Sequence, residues 1–262
     1  MSYSSVALVM NRDGLCQSAG AIMREAAPVD EAALQRLFRA IVSRNRPMVS
    51  GLLAESPALA RLAIRVGASR EVAQTYFFKE IMHYIYAGDT ALHVAAAAYE
   101  RDIAEDLVVL GADVSARNRR GAEPLHYAAD GRPGSDAWDP DAQYAVVEFL
   151  IMAGADPNSE DKSGVAPLHR AVRTRCAAAV RALLANGADA VRRNKSGSTP
   201  LHLAVQNTGR GGSGTAVSRE EQEKIIRLLL DHGARPSDKD FSGKPVSDCV
   251  NADWIHSLFR ET

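Results

Sequence analysis

The sequence lacks the features that mark disulfide-stabilised domains, zinc proteins and membrane proteins. It has only three cysteines, Cys16, Cys176 and Cys249, which are far apart and form no Cys-x-x-Cys pair. An odd number at this spacing indicates neither a disulfide framework nor a zinc site, so we expect reduced, mostly buried thiols. No apolar run approaches the roughly 20 residues that a membrane-spanning helix needs. The first residues also lack the basic and apolar segments of a secretion signal, and we therefore expect a cytoplasmic protein.

Motifs for catalysis and cofactor binding are equally scarce. The sequence has no Gly-x-Ser-x-Gly elbow or comparable nucleophile motif. A Gly-x-Gly-x-x-Gly match at 209–214 follows a predicted helix instead of the strand that a dinucleotide site requires. His83, His232 and His256 have no partner at metal-ligand spacing. We therefore expect no catalytic residues, no metal and no cofactor.

The net charge is close to zero. A formal charge of −1 argues against wholesale capture of the chain by nucleic acid or by an anionic membrane. With 46% hydrophobic and 24% charged residues, the composition is that of an ordinary globular protein long enough for a substantial core. The distribution of the charges is therefore more informative than their sum.

The sequence does contain a phrase, Gly-x-x-x-Leu-His, that occurs four times. It begins at Gly88, Gly121, Gly164 and Gly197, and a degraded fifth copy begins at Gly243. These glycines are 33, 43, 33 and 46 residues apart, so a period of 33 is extended by 10 or 13 residues in alternate units. A regular period of this length predicts a stack of supersecondary units with an extended surface, not one closed core.

The pattern within each unit predicts two helices and a polar connection. Small residues follow each Leu-His, which suits a first helix packed closely against its neighbours. Apolar residues at helical spacing then predict a second helix. This helix ends at a glycine that can adopt the left-handed conformation, at Gly111, Gly154, Gly187 and Gly233. The polar residues before the next phrase predict an exposed hairpin or loop, which we call a finger.

These residues resemble the ankyrin repeat, whose signature has Thr-Pro-Leu-His-x-Ala in the first helix and Gly-Ala-Asp after the second. The resemblance covers residues 85–262 and implies an all-α ankyrin-repeat solenoid that ends in the degraded capping repeat. Glu123 and Ala166 replace the signature threonine that Thr90 and Thr199 retain. We therefore expect the second and third repeats to be less regular. The repeated histidines are expected to hydrogen-bond neighbouring backbone and to hold one unit against the next.

Upstream of the repeats, residues 27–84 predict a helical N-terminal cap that contains a diverged repeat and an expanded finger. Apolar residues at intervals of three and four predict helices over 34–43 and 48–53, and a further helix over 58–66. A cap is expected because an open stack must cover its terminal apolar face. Residues 1–26 fit either a flexible tail or an edge segment.

The expanded finger is the aromatic-rich segment 76–86. One interpretation is an extra helix that packs against the cap, and the other is an exposed aromatic ledge for a partner. A further hypothesis places a small-molecule site here, where Tyr76, His83 and Tyr86 converge beside the concave face.

The extra residues of the two long repeats fall between their two helices, at 131–143 and 208–220. Insertions in a stack emerge on one edge, so both loops should project from the same side as a candidate recognition site. Trp138 in the first loop either folds back over helix ends or is exposed to a partner. The glycines and serines of the second loop predict flexibility.

The resemblance to ankyrin repeats implies that a partner is contacted along a concave stripe formed by finger residues and first helices. Carried over to this chain, together with Trp138 of the first long loop, the predicted partner-binding residues are Tyr86, Arg119, Arg120, Asp130, Trp138, Lys162, Arg173, Lys195, Gln206 and Phe241. Basic residues outnumber acidic ones in this stripe, and arginine forms bidentate hydrogen bonds with carboxylate or phosphate.

We therefore hypothesise a non-catalytic scaffold, monomeric by itself, that binds an acidic surface of another protein. Two alternatives stay open. The basic fingers either bind nucleic-acid phosphates, which the overall charge disfavours, or are solvated tips that keep the stack soluble.

Overall fold

The computed structural model describes residues 31–136, 138–206 and 215–261. Within these ranges the chain forms consecutive helix pairs, as the repeat predicts. The helices are α1 (Glu31–Val42), α2 (Arg46–Glu55), α3 (Ala91–Ala97), α4 (Arg101–Val109), α5 (Pro124–Ala129), α6 (Pro140–Met152), α7 (Pro167–Arg173), α8 (Ala177–Ala185), α9 (Pro200–Ala204), α10 (Ala216–Asp231) and α11 (Asp253–Glu261). First helices pack on first helices and second helices on second helices of the adjacent unit, so one core runs through the stack.

Small residues let the first helices approach each other closely. Ala95, Ala96 and Ala128 are fully buried between neighbouring units, and fully buried leucines such as Leu107 and Leu150 fill the space between the second helices. A fully buried leucine side chain contributes about 1.5–3 kcal/mol through the hydrophobic effect. The apolar pattern of each unit is therefore satisfied only when another unit covers it.

The four repeated histidines join adjacent units, as predicted. They are buried, and each Nε2 lies 3.0–3.3 Å from a backbone carbonyl oxygen of the next unit. Each Nδ1 accepts a backbone N–H from the residue three positions earlier, at 3.2–3.3 Å. Because Nδ1 accepts, Nε2 must carry the proton and donate, which requires a neutral ring.

The expected irregularity of the second and third repeats is wrong. Glu123 and Ala166 have no hydroxyl group, but their backbone N–H groups still reach the histidine at 3.2 and 3.3 Å. Thr90 and Thr199 add a hydroxyl contact to the same nitrogen, at 3.0 and 2.8 Å, and each hydroxyl also accepts the backbone N–H of the histidine at 3.4 Å. The backbone bond to the histidine ring is the contact that all four units share.

The N-terminal region confirms two predicted helices and corrects a third. The segments 34–43 and 48–53 lie essentially within α1 and α2. The helix predicted over 58–66 is wrong, because only Pro57–Arg61 forms a short 3-10 turn. Ile64 beyond it exchanges backbone hydrogen bonds of 2.8 Å with Gly88 and Asp89. Pairing with the first repeat therefore overrides the local helical pattern.

The aromatic segment is a hairpin, so the predicted extra helix is wrong here too. A 3-10 turn at Ala73–Tyr76 leads into β1 (Phe77–Phe78), which pairs antiparallel with β2 (His83–Tyr84). The rings of Phe77 and Tyr84 face each other across the strands with centroids 4.8 Å apart. Ile85 is fully buried and anchors the hairpin, while the strand aromatics are half-buried.

Candidate functional site

A cleft of about 770 Å³ opens between the hairpin and the first long loop. One wall is the hairpin tip, Glu80–His83, and the opposite wall is formed by residues of the segment 131–139. The C-terminal ends of α3, α5 and α7 supply the floor. The charged or titratable side chains of the lining are Arg44, Glu80, His83, Tyr99, Asp130, Arg132, Asp136, Asp139 and Arg173. We call the surface formed by the fingers and the first helices the finger face.

The loop wall is anchored by one buried glutamine. Gln143 in α6 donates from Nε2 to the carbonyl oxygens of Ala128 and Asp130, at 3.0 and 3.2 Å. Its Oε1 accepts the indole N–H of Trp138 at 2.9 Å. Trp138 is half-buried and folds back toward the helix ends, which is one of the two interpretations of the sequence. The predicted loop 131–143 is too long, because its last four residues belong to α6.

Close packing fixes the other end of the loop. Tyr99 donates from its hydroxyl to the carbonyl oxygen of Asp130 at 2.6 Å. A Cβ added to Gly131 would lie 2.5 Å from Cys176 Sγ and 2.8 Å from Tyr99 Oη. Glycine is therefore required by space at this position. Burial raises the pKa of the Cys176 thiol to about 12, so this buried cysteine stays protonated.

The fourth unit uses the same anchoring device. Gln222 in α10 donates to the carbonyl oxygens of Ala204 and Gln206, at 2.7 and 2.9 Å. Arg175 of the preceding unit donates to the same two carbonyls, at 2.9 and 2.7 Å. Of the predicted loop 208–220, the residues up to 214 lie outside the described ranges, and Ala216 onwards belongs to α10.

A buried charge network lies at the base of the cleft. Arg170 of α7, with 9% of its side chain exposed, donates to Asp130 and to Asp161 at 3.1 Å each. His83 Nε2 lies 3.4 Å from the same oxygen of Asp130. Burial acts to raise the pKa of Asp130, but His83 and Arg170 outweigh it and lower that pKa. The network therefore ties the hairpin, α5 and α7 together.

The histidine of the hairpin also rests on an aromatic residue of the second unit. The rings of His83 and Tyr127 are stacked with centroids 4.4 Å apart. The Tyr127 hydroxyl donates to buried Asp89 at 2.8 Å and accepts from Asn118 at 3.0 Å. Asn118 also donates to Asp89 at 2.8 Å. Hydrogen bonds of this kind satisfy the buried polar groups, and they fix the position of the hairpin.

Arg170 and Tyr127 were not predicted from the sequence as part of the site, whereas Asp89 was predicted beside Tyr86 in the stripe. The residue after the repeated histidine is Val94, Tyr127, Arg170 and Leu203 in the four units. Arg170 could have been noticed because it is a charged residue at a position that is apolar in two other units. Its partners come from distant parts of the chain, so spacing alone does not identify them.

A second, smaller cavity of about 180 Å³ adjoins the cleft. It shares Met82, His83, Asp130 and Arg173 with the cleft and adds the side chains of Tyr86 and Arg120, among others. Among the predicted stripe residues, Asp130, Trp138 and Arg173 therefore line the larger cleft, and Tyr86 and Arg120 continue it.

The predicted basic residues of the fingers are partly engaged within the protein. The guanidinium groups of Arg119 and Arg120 lie 5.2 and 5.0 Å from the centre of the Tyr86 ring. Arg119 also donates to the carbonyl oxygen of Ala68. Lys195 donates from Nζ to the carbonyl oxygen of Lys162 at 2.5 Å. These contacts join neighbouring fingers.

Three stripe residues have fewer such contacts. The side chain of Arg173 is exposed and makes no hydrogen bond or ion pair within the described ranges. Phe241 in the last finger is 71% exposed, and Gln206 is exposed at the end of the first helix of the fourth unit. The structure therefore gathers part of the predicted stripe at the cleft and leaves Gln206 and Phe241 elsewhere.

A regular turn supports each finger from the second onwards. The side-chain Oδ1 of one residue accepts backbone N–H groups two and four positions later, at 2.8–3.1 Å. The residues that do so are Asn118, Asp161, Asn194 and Asp240. A glycine with positive φ follows each one by three positions.

Among the described residues, no group of three or more His, Cys, Asp or Glu side chains could hold a metal ion. Within the same ranges, the helices are too short or too polar to cross a membrane.

Comparison with known families gives two matches that together cover just over half of the chain. Residues 87–119 match the model of an ankyrin repeat, and residues 139–240 match a model of ankyrin repeats in three copies. A search of curated proteins returns no match.

Proposed function

Because this chain belongs to the ankyrin repeat family, whose repeats generally mediate protein–protein interactions, we propose that it binds a protein partner at the cleft on its finger face. The cleft between the hairpin and the first long loop is the observation that supports this choice. Its walls are held by buried hydrogen bonds, so little conformational entropy is lost when a partner docks.

The lining offers both an apolar anchor and free charge. Met82 at the hairpin tip is an exposed large apolar residue. Arg132 and Arg173 are exposed, and their side chains have no ion-pair partner in the part of the chain that the structure describes. Charged groups at an interface steer association and give specificity, while apolar anchors supply affinity. We therefore place partner recognition at the cleft, with the rest of the predicted stripe as a flanking surface.

The contacts of the fingers weaken the nucleic-acid alternative. Arg117 pairs with Glu123 at 2.9 Å, and Arg192 pairs with Glu160 at 2.8 Å. Each of these pairs removes a positive charge that a phosphate would otherwise neutralise. Nucleic-acid binding is therefore the less favoured function.

A small-molecule site is the second candidate, because pockets for small ligands typically measure roughly 300–1,000 Å³ and the cleft measures about 770 Å³. Of the residues in that hypothesis, His83 lines both cavities and Tyr86 lines the smaller one. Tyr76 packs against the core and lines neither. The described residues supply no convergent catalytic group beyond the His83–Asp130 pair, so a protein partner is favoured.

The test is affinity purification of the full chain from its native host, followed by mass spectrometry. The cleft variant is Arg132→Glu combined with Arg173→Glu. A matched control, Arg36→Glu combined with Arg260→Glu, reverses two exposed arginines that line neither cavity.

We expect a protein that copurifies with the wild type and the control and is lost with the cleft variant. Equal recovery with all three chains would reject the cleft as the binding surface. Recovery of no specific protein by the wild type would reject protein binding itself.

A further inference from the structure

The smaller cavity has the chemistry of a carboxylate receptor. We infer that it takes one carboxylate group of the partner protein, either an aspartate or glutamate side chain or a C-terminal carboxylate. This inference rests on the proposed function and specifies the chemical group that is recognised. The cavity measures about 180 Å³ and shares four lining residues with the cleft, so a segment that lies in the cleft reaches it.

Two arginines at this cavity have no carboxylate partner among the described residues. Arg173 makes no side-chain hydrogen bond or ion pair within those ranges. Arg120 donates one hydrogen bond from its side chain, from Nη1 to the Tyr86 hydroxyl at 2.9 Å. A guanidinium has five N–H donors in a planar fork that matches a carboxylate. Both arginines therefore keep free donors at the cavity.

The carboxylates already present are occupied by other partners. Asp130 is held by Arg170 at 3.1 Å and by His83 at 3.4 Å. Asp161 pairs with the other end of the Arg170 guanidinium. Asp89 accepts hydrogen bonds from the side chains of Asn118 and Tyr127. Arg173 helps to lower the pKa of Asp130 through space, but neither Arg120 nor Arg173 forms an ion pair with a carboxylate within the described ranges. Charge complementarity therefore favours an anionic group that comes from a partner.

The cavity also borders two buried atoms that lack hydrogen-bond partners in the described part of the chain. They are Nε of Arg170, a residue whose side chain is nine-tenths buried, and Oδ1 of Asp130. A buried polar atom without a partner is costly. Both atoms are covered by the protein itself, so they belong to the charged base of the cavity and are not contacts for a bound group.

Asp130 also argues for a carboxylate over a phosphate. Its pKa is lowered by His83 and Arg170 in spite of burial, so it carries a negative charge at the cavity. A phosphate group carries up to two negative charges near neutral pH, and a carboxylate carries one. Repulsion from Asp130 is therefore smaller for the carboxylate.

The direct test titrates the full chain with small probes at constant ionic strength and follows backbone and arginine N–H signals by NMR. N-acetylglutamate α-amide presents only a side-chain carboxylate, and N-acetylglycine presents only a C-terminal one. N-acetylglutamine amide is the neutral control, and inorganic phosphate is the competing anion. We expect one of the two carboxylates to bind with a dissociation constant in the millimolar range.

Three variants locate the binding. Arg173→Gln and Arg120→Gln should each raise the dissociation constant of the carboxylate probe by about tenfold, as expected when a charge-assisted hydrogen bond is lost. Arg36→Gln, at an exposed arginine away from both cavities, should leave it unchanged. Arg173 has no internal partner, so its variant remains informative even if Arg120→Gln disturbs Tyr86.

Equal binding of the neutral amide, unchanged binding by Arg173→Gln, or no signal shift at tens of millimolar probe would each overturn the inference. Tighter binding of phosphate than of both carboxylates would overturn it as well. The probes need no partner protein. If the chain binds these probes but no protein copurifies with it, the proposed function is rejected while the carboxylate-binding role of the cavity stands.

Discussion

The two halves of the repeat stack are built on one plan but present different surfaces. Each half is a 33-residue unit followed by a longer one. In each, a buried glutamine of the longer unit, Gln143 or Gln222, donates to the last carbonyls of the first helix. In each, the turn residue of the shorter unit has a positive φ and donates to the equivalent carbonyl oxygen, Tyr99 to that of Asp130 and Arg175 to that of Gln206.

The difference between the halves lies in residues that depart from the repeat. The hairpin and the Trp138 loop face each other across the cleft, and buried Arg170 lines the smaller cavity beside it. The devices that recur in both halves hold the stack together. The comparison therefore teaches that the repeated positions join each unit to the next, whereas the shape and charge of the cleft come from residues that occur once.

The largest expected effect comes from removing the buried guanidinium. Arg170→Met leaves Asp130 and Asp161 without their shared partner, and breaking a buried ion pair costs about 3–5 kcal/mol. The free energy of unfolding, measured by urea denaturation, should fall by this amount. Arg173→Met, three residues later and without an internal partner, should change it by less than about 0.5 kcal/mol. Similar losses in both variants would contradict the network.

Acid should weaken the histidine bridges between units. Burial first, and then the charge of Arg170, lowers the pKa of His126 to about 4, from about 6.5 in an unfolded chain. The unfolded state therefore binds more protons between these values, so stability falls as the pH falls from about 6.5 to 4. The loss from His126 is at most about 1.4 kcal/mol per pH unit.

This pH dependence can be assigned to the residue. His126→Gln should reduce the slope of unfolding free energy against pH between about 6.5 and 4, while His256→Gln, at an exposed residue, should leave the slope as it is in the wild type. A slope that persists unchanged in His126→Gln would contradict the assignment.

A methyl group at the start of the first long loop should strain that loop. Gly131→Ala brings a Cβ against Cys176 and Tyr99, and overpacking of this kind costs about 1–3 kcal/mol. Part of the loss should be recovered in the double variant with Cys176→Ala, measured as a coupling energy in a double-mutant cycle. Strictly additive effects of the two substitutions would show that the loop start is not packed as described.

The smallest expected effect is the difference in stability between variants of the two glutamines. Gln143→Leu and Gln222→Leu each remove hydrogen bonds to buried carbonyls, at a cost of about 1–3 kcal/mol. In the second half, Arg175 still donates hydrogen bonds to both carbonyl oxygens. In the first half, Tyr99 donates only to the carbonyl oxygen of Asp130. Gln143→Leu should therefore destabilise the chain more. A larger loss for Gln222→Leu in urea denaturation would reverse the comparison.

Much of the fold could be predicted because each unit repeats its own signals. The helix starts, the glycine ends and the bridging role of the histidines follow from local chemistry that recurs in register. The helices expected over 58–66 and over 76–86 were wrong, because the first segment pairs with the first repeat and the second folds back on itself as a hairpin. Each of these two segments occurs only once in the chain, so its pattern could not be compared with that of an equivalent segment.

The candidate site was predicted only in part. Asp130, Trp138 and Arg173 were identified from the sequence, and the structure places them in one cleft. Arg170 was not identified, because its two carboxylate partners lie 40 and 9 positions before it in the chain. Arg119 and Arg120 were predicted to contact a partner, and the structure places both guanidinium groups against the ring of Tyr86.

The sequence by itself determined the architecture of this protein, since every repeat carries the local signals for its helices and for its contact with the next unit. Only the tertiary structure decided where a cleft forms and which of its arginines have no ion pair within the described ranges. The physical reason is distance along the chain. Helix starts and ends depend on residues a few positions apart, whereas the charge balance of the cleft depends on side chains that meet only after three units and a hairpin have packed together.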